Sequence, residues 1–190
     1  MTFQSGRIIV LSVLLCSPAL VAVTDASQLA RGSIEIAPSV TFNHENFKRE
    51  GYGNVDHQTE LTITPTIGYC MSDRFEVISG LMVRHESFND QHETSLGALA
   101  GLNYNFPPHG TIVPFVGLGF GVLFYDGFSF DNTAVLAPML SGGMRVLIGS
   151  SASVNMSLGY QHESNAGGEF NATSNKLLAS VGVSLFPWPK

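Results

Sequence analysis

His162 and Ser164 stand two residues apart in the run Tyr160-Gln161-His162-Glu163-Ser164-Asn165-Ala166-Gly167. On a β-strand that spacing puts both side chains on one face, with Cβ atoms roughly 7 Å apart by the strand rise. An imidazole leaning toward a hydroxyl at that separation can take its proton, which is the arrangement of a base-activated serine nucleophile. Such a base needs a third group to hold its ring in orientation. Asn175 is placed for that task if the segments on either side of residues 165–174 form a hairpin. The same residues admit a plainer reading, in which polar side chains close a strand end in an interfacial zone and do no chemistry. The element that carries them has to separate the two.

That element is one of eight segments whose hydrophobic period is 2, not 3.6. They cover about residues 33–43, 60–69, 75–86, 95–106, 112–124, 133–148, 153–161 and 177–185. In the first, Ile34, Ile36, Pro38, Val40 and Phe42 alternate with Ser33, Glu35, Ser39 and Thr41. In the fifth, Val116, Leu118, Phe120 and Val122 alternate with Gly117, Gly119 and Gly121. Ile78 and Met82 are apolar exceptions on the polar face of the third segment. Short turns at 70–73, 107–110 and 149–151 alternate with longer loops at 44–57, 87–92, 126–132 and 165–174.

Eight antiparallel strands can bury one face in a soluble sandwich or barrel, or turn their apolar face to lipid in a membrane barrel. The polar face separates the two. It holds Ser, Thr, Asn and Gly with few charges, which suits the narrow interior of a small barrel; Glu35, Glu60, Glu76, Arg84 and Arg145 are expected to pair there. Alternating short and long connections fit periplasmic turns and external loops. Tyr69, Phe75, Tyr104, Phe106, Phe124, Tyr125, Tyr160 and Phe186 near strand ends fit aromatic girdles. The expected fold is therefore all-β, an eight-stranded antiparallel transmembrane β-barrel of the bacterial outer membrane. His162 and Ser164 then continue the lipid-facing row of Val154, Met156, Leu158 and Tyr160, at the level of the outer-leaflet headgroups.

Composition supports this assignment. Only 13% of the 190 residues are charged against 44% hydrophobic, whereas a soluble domain carries about 25% charged residues. Nine Lys plus Arg scattered in a chain of net charge −6 give no footprint for nucleic acid. Arg7 followed by the uncharged run Ile8–Thr24 and the small stretch to Ala26 reads as a cleaved signal peptide, residues 1–26, leaving 27–190 as a single barrel. Its apolar core before Pro18 falls short of the roughly 20 residues a spanning helix needs. Cys70 is then the sole thiol of the exported chain, so no intrachain disulfide is expected.

The element His162-Glu163-Ser164-Asn165-Ala166-Gly167 resembles the His-x-Ser-Asn-Ala-Gly signature of the outer-membrane lipid A 3-O-deacylases, the PagL-like family. Pro114–Val122 (PFVGLGFGV) resembles the fifth strand of that family at a matching distance upstream, and the likeness covers about Ile112 to Leu185. The resemblance implies hydrolysis of the acyl ester at the 3 position of lipid A within lipopolysaccharide, in the lipids of the outer membrane, without metal or cofactor. Ser164 would be nucleophile and His162 general base. Asn175 falls at the position of the orienting acid, where the family has glutamate. Asn165 and Asn171 would bind the oxyanion, with Ala166 and Gly167 completing the substrate-binding turn. The loop after Gly167 is one residue shorter than the family's. Glu163 and Glu169 are the alternative orienting acids, Glu163 having inward parity.

The pairs His44-Glu45, His85-Glu86 and His92-Glu93 lack metal-ligand spacing and read as solvated loop residues. A non-enzymatic small barrel, binding through its external loops or stabilising the envelope, stands as the alternative function. Monomer and homodimer are both open.

Overall fold

The computed structural model describes residues 29–48, 55–88, 91–125, 134–166 and 173–187; the expected signal peptide lies outside them. Eight strands follow in chain order: β1 (Ile34–Lys48), β2 (Val55–Cys70), β3 (Phe75–Phe88), β4 (Gln91–Asn105), β5 (Ile112–Tyr125), β6 (Ala134–Ile148), β7 (Ala152–Ala166) and β8 (Thr173–Leu185). Each pairs antiparallel with the next, and β1 pairs with β8 from Ile36↔Leu185 to Phe42↔Ala179, closing the barrel. Closure leaves no unpaired sheet edge, the condition for crossing hydrocarbon with strands.

The period-2 alternation sets which face is which. Ile36, Val40, Phe42, Ile63, Ile67, Leu118, Phe120, Leu158, Leu177 and Val181 all point outward and are 44–71% exposed. An apolar surface of that extent is stable against acyl chains and not against water, so this is an outer-membrane barrel. At the turn end, Tyr104 packs edge-on against Phe75 and Phe106, with ring centroids 5.1 and 5.0 Å apart. The β6–β7 turn there needs the left-handed backbone of Gly149, at φ 65°.

Inside, the expected pairing occurs in two layers. Near the turn end Arg145 binds Glu35 at 2.6 Å and Glu76 at 2.5 Å, and Asn103 donates to Glu76 at 3.2 Å. Ser184 donates to Glu35. Gly68 lies beside this layer, where an added Cβ would press on a Glu76 carboxylate oxygen and push that side chain aside. Toward the other end Arg84 binds Glu60 at 3.1 Å and Glu163 at 2.6 Å. Lys176 bridges the same two carboxylates at 2.6 and 3.0 Å. Glu86 lies 3.5 Å from Arg84 and 3.6 Å from Lys176. A cavity of about 190 Å³, lined in part by Thr41, Thr62, Thr64 and Ser180, lies along the lumen.

Three expectations change. The lumen is not uniformly small and polar: Met82, Leu99, Leu123 and Val135 form a buried apolar cluster with Ile78 against it. Ile78 and Met82 were visible as apolar exceptions on the polar face, whereas the alternation hid Leu99, Leu123 and Val135 because it recognises apolar positions only by the outward row. Phe186 belongs to no outer girdle; it is fully buried at the turn end with Leu29, Cys70, Val113 and Leu147. Its parity continues that of inward Ser184, so it caps the lumen. Finally, the strands run past the predicted loop boundaries, with pairing from His44↔Thr59 to Lys48↔Val55 and from Ser87↔His92 to Phe88↔Gln91. About 9–11 residues suffice to cross the bilayer, whereas β2 has 16. Beyond the lipid neither face need be apolar, so alternation fades while backbone pairing continues.

Candidate active site

β7 carries Tyr160, His162 and Ser164 on its outer row, while Gln161 and Glu163 point inward and are 2% and 7% exposed. β8 brings Asn175 outward between buried Lys176 and half-buried Ser174. The hairpin register sets His162 directly opposite Asn175, and Ser164 opposite Thr173. Ser164 faces Leu136 on the other side, in β6.

The register makes a hydrogen bond. His162 Nδ1 lies 2.7 Å from Asn175 Oδ1. A carboxamide oxygen only accepts, so Nδ1 carries the proton and donates. The neutral imidazole then leaves the Nε2 lone pair free, the tautomer a general base requires. Tyr160 OH donates to the same Oδ1 at 2.6 Å, which fixes the carboxamide from its other side. Tyr160 stands diagonally across the hairpin from Asn175, a contact readable from the register. Sequence reasoning placed it on the lipid-facing row and in a girdle, without this contact.

His162 and Ser164 share the outer face, both half-buried, yet no side-chain hydrogen bond joins them among the described residues. Catalytic contacts of this kind are commonly long until substrate binds. Asn165 and Ala166 continue β7, paired with Val135 and Ala134. Gly167, Glu169 and Asn171 lie outside the described residues. Glu163 does not orient His162, because its carboxylate is held in the lumen by Arg84 and Lys176.

Behind the outer face, Gln161 donates to Glu163 at 2.5 Å. Glu163 and Lys176 alternate with His162, Ser164 and Asn175 along the chain, so the buried ion cluster grips the backbone that carries the site. Sequence reasoning missed Lys176, Glu163 and Glu86 as cluster members. The signal was inward parity, which was read for Glu163 and Glu86 without the pairing and was masked for Lys176 at a strand end where both faces turn polar.

No protein-family model matches the sequence, and no curated protein is similar to it in sequence. Among solved structures the chain is similar to the N-terminal β-barrel domain of Pseudomonas aeruginosa OprF, with a TM-score of 0.55 and 16% identity over 82% of this chain and 97% of that one. It is similar to Neisserial surface protein A (NspA), with a TM-score of 0.51 and 9% identity over 80% of this chain and 96% of that one. The outer membrane enzyme PagL gives a TM-score of 0.43 and 15% identity over 81% of this chain and 99% of that one. At these identities the likeness is one of fold, the small outer-membrane barrel.

Proposed function

We propose that this barrel is a lipid A deacylase that removes the 3-O-linked acyl chain of lipopolysaccharide in the outer leaflet. The observation that carries the reading is His162, fixed through Nδ1 by Asn175 on the lipid-facing surface, two residues from Ser164 within the His-x-Ser-Asn-Ala-Gly element. A lipid ester diffusing in the leaflet reaches that face sideways, without entering the lumen.

In this reaction Ser164 Oγ attacks the ester carbonyl as His162 Nε2 takes the hydroxyl proton. The sugar oxygen leaves and takes that proton back. Water, activated by the same nitrogen, then releases the fatty acid from the serine. Asn165 and Asn171 are the proposed donors to the oxyanion, a type of contact worth roughly 10²- to 10³-fold in rate. Asn175 and Tyr160 are positioning residues. A neutral amide holds the tautomer but gives no charge to the imidazolium that forms, so the enzyme is slower than one with a carboxylate there.

Refolded protein incubated with lipopolysaccharide tests the reading, with the lipid A weighed by mass spectrometry. Loss of one hydroxyacyl chain is expected, slowed on the order of 10³-fold or more by Ser164→Ala. No loss of a chain, or equal loss in the variant, overturns it.

A further inference from the structure

The tripeptide His162-Glu163-Ser164 occurs a second time as His85-Glu86-Ser87. This copy is not the solvated loop expected from sequence. It lies in β3, four strands around the closed barrel from β7, and so on the opposite wall. Three features repeat. His85 continues the outer row of Leu81 and Val83, with Ser87 two residues beyond it. His85 also bonds its direct cross-strand partner through the same nitrogen: Nδ1 lies 3.0 Å from Thr94 Oγ1, in the register His85↔Thr94. And the intervening Glu86 turns inward to the ion cluster that holds Glu163. Arg84, the residue before His85, is one of the two cations of that cluster, with Lys176. In addition, His92, opposite Ser87, stacks on His85 with centroids 5.7 Å apart and planes at 14°.

We propose that the β3–β4 hairpin carries a second serine–histidine centre facing the outer leaflet, acting on the acyl esters of membrane lipids. The assignment rests on reading His162 and Ser164 as a catalytic pair, since the second centre repeats its geometry. Ser87 is the nucleophile and His85 the base, with Thr94 the positioning residue that accepts from Nδ1 and leaves Nε2 free. Ser87 Oγ bonds to the acyl carbon, its proton passes to His85 and then to the departing alcohol, and water releases the acid. The Thr94 hydroxyl can donate as well as accept, so it selects the tautomer less strictly than Asn175 does, and the second centre is the slower.

An alkyl fluorophosphonate tests this without a lipid substrate. The serine oxygen bonds to phosphorus, the P–F bond breaks, and the proton and fluoride leave together. Full-length protein refolded in detergent is treated with the reagent and the labelled peptides are located by mass spectrometry, folding being checked by heat-modifiable gel mobility. Label is expected on Ser164 and, more slowly, on Ser87. In Ser164→Ala the label on Ser87 remains. Thr94→Val and His85→Ala lose it while Ser164 still reacts, and Thr94→Ser keeps it. Label confined to Ser164 overturns the second centre and leaves the first reading standing. Label on Ser87 alone supports the second centre and removes the first as a reactive serine. Label on Ser87 that His85→Ala does not diminish overturns the pairing, and folded protein labelled at neither serine overturns both.

Discussion

The β7–β8 and β3–β4 hairpins present the same tripeptide on opposite walls of one barrel and differ in what faces the histidine. Opposite His162 is a carboxamide oxygen at 2.7 Å, itself held by Tyr160; opposite His85 is a hydroxyl at 3.0 Å, with a second imidazole stacked alongside. An acceptor-only partner selects one tautomer, whereas a hydroxyl tolerates both. The cross-strand residue, one position on the neighbouring strand, thus decides how far an identical His-x-Ser pair is prepared for base catalysis.

The largest break strikes both hairpins together. Arg84→Leu removes one of the two cations, beside Lys176, that bind Glu60 and Glu163 behind both sites. Leaving buried carboxylates short of a partner costs about 3–5 kcal/mol. A lower urea midpoint for the folded band in gels is expected, with slower fluorophosphonate labelling at Ser164 and Ser87 alike. Labelling that falls at one serine only would mean that the cluster does not brace the two walls in common. An exchange of cross-strand partners sharpens the comparison next. Asn175→Thr should slow labelling of Ser164 about tenfold, and Thr94→Asn should speed that of Ser87 about tenfold, each roughly 1.4 kcal/mol. The smallest effect belongs to Tyr160→Phe, which deletes one hydrogen bond to Asn175. At about 1 kcal/mol, it should slow Ser164 labelling about fivefold, leave Ser87 unchanged and leave the urea midpoint nearly in place.

The outer surface was legible because one physical rule, apolar toward lipid, repeats at every second residue. That Glu35, Glu60, Glu76, Arg84 and Arg145 pair inside was legible for the same reason, since charges on the inward row of a narrow barrel have only each other; which acid meets which cation was not. Legibility fell where that rule stops acting. Past the lipid boundary Lys176 sits among other polar residues and its inward parity is drowned, while the parity of Glu86 and Glu163 was read without the partners it implied. His92 was lost in the same way, by reading as loop a segment that is paired backbone, and His85, inside the third segment, was set aside as a solvated residue near a loop. Leu99 and Leu123 were left unassigned and Phe186 was misplaced because an apolar side chain suits a packed lumen as well as lipid. For the site, the hairpin register alone predicted the meeting of His162 and Asn175. The contact of Tyr160 with Asn175 depends on side-chain reach along a diagonal, which residue spacing does not specify.

Strands of 13–16 residues are longer than the 9–11 that cross a bilayer. With a rise near 3.3 Å and a tilt near 40°, each residue climbs about 2.5 Å along the membrane normal. From Val154 to His162 is therefore a climb of about 20 Å along a wall braced by buried ion pairs. β7 works as a depth gauge: it sets the imidazole at a fixed altitude, and a bilayer thinned or thickened around it slides lipid esters past that mark. For the proposed deacylase, hydrophobic thickness, varied with detergent or lipid chain length, becomes a dial on which ester bond the histidine would meet.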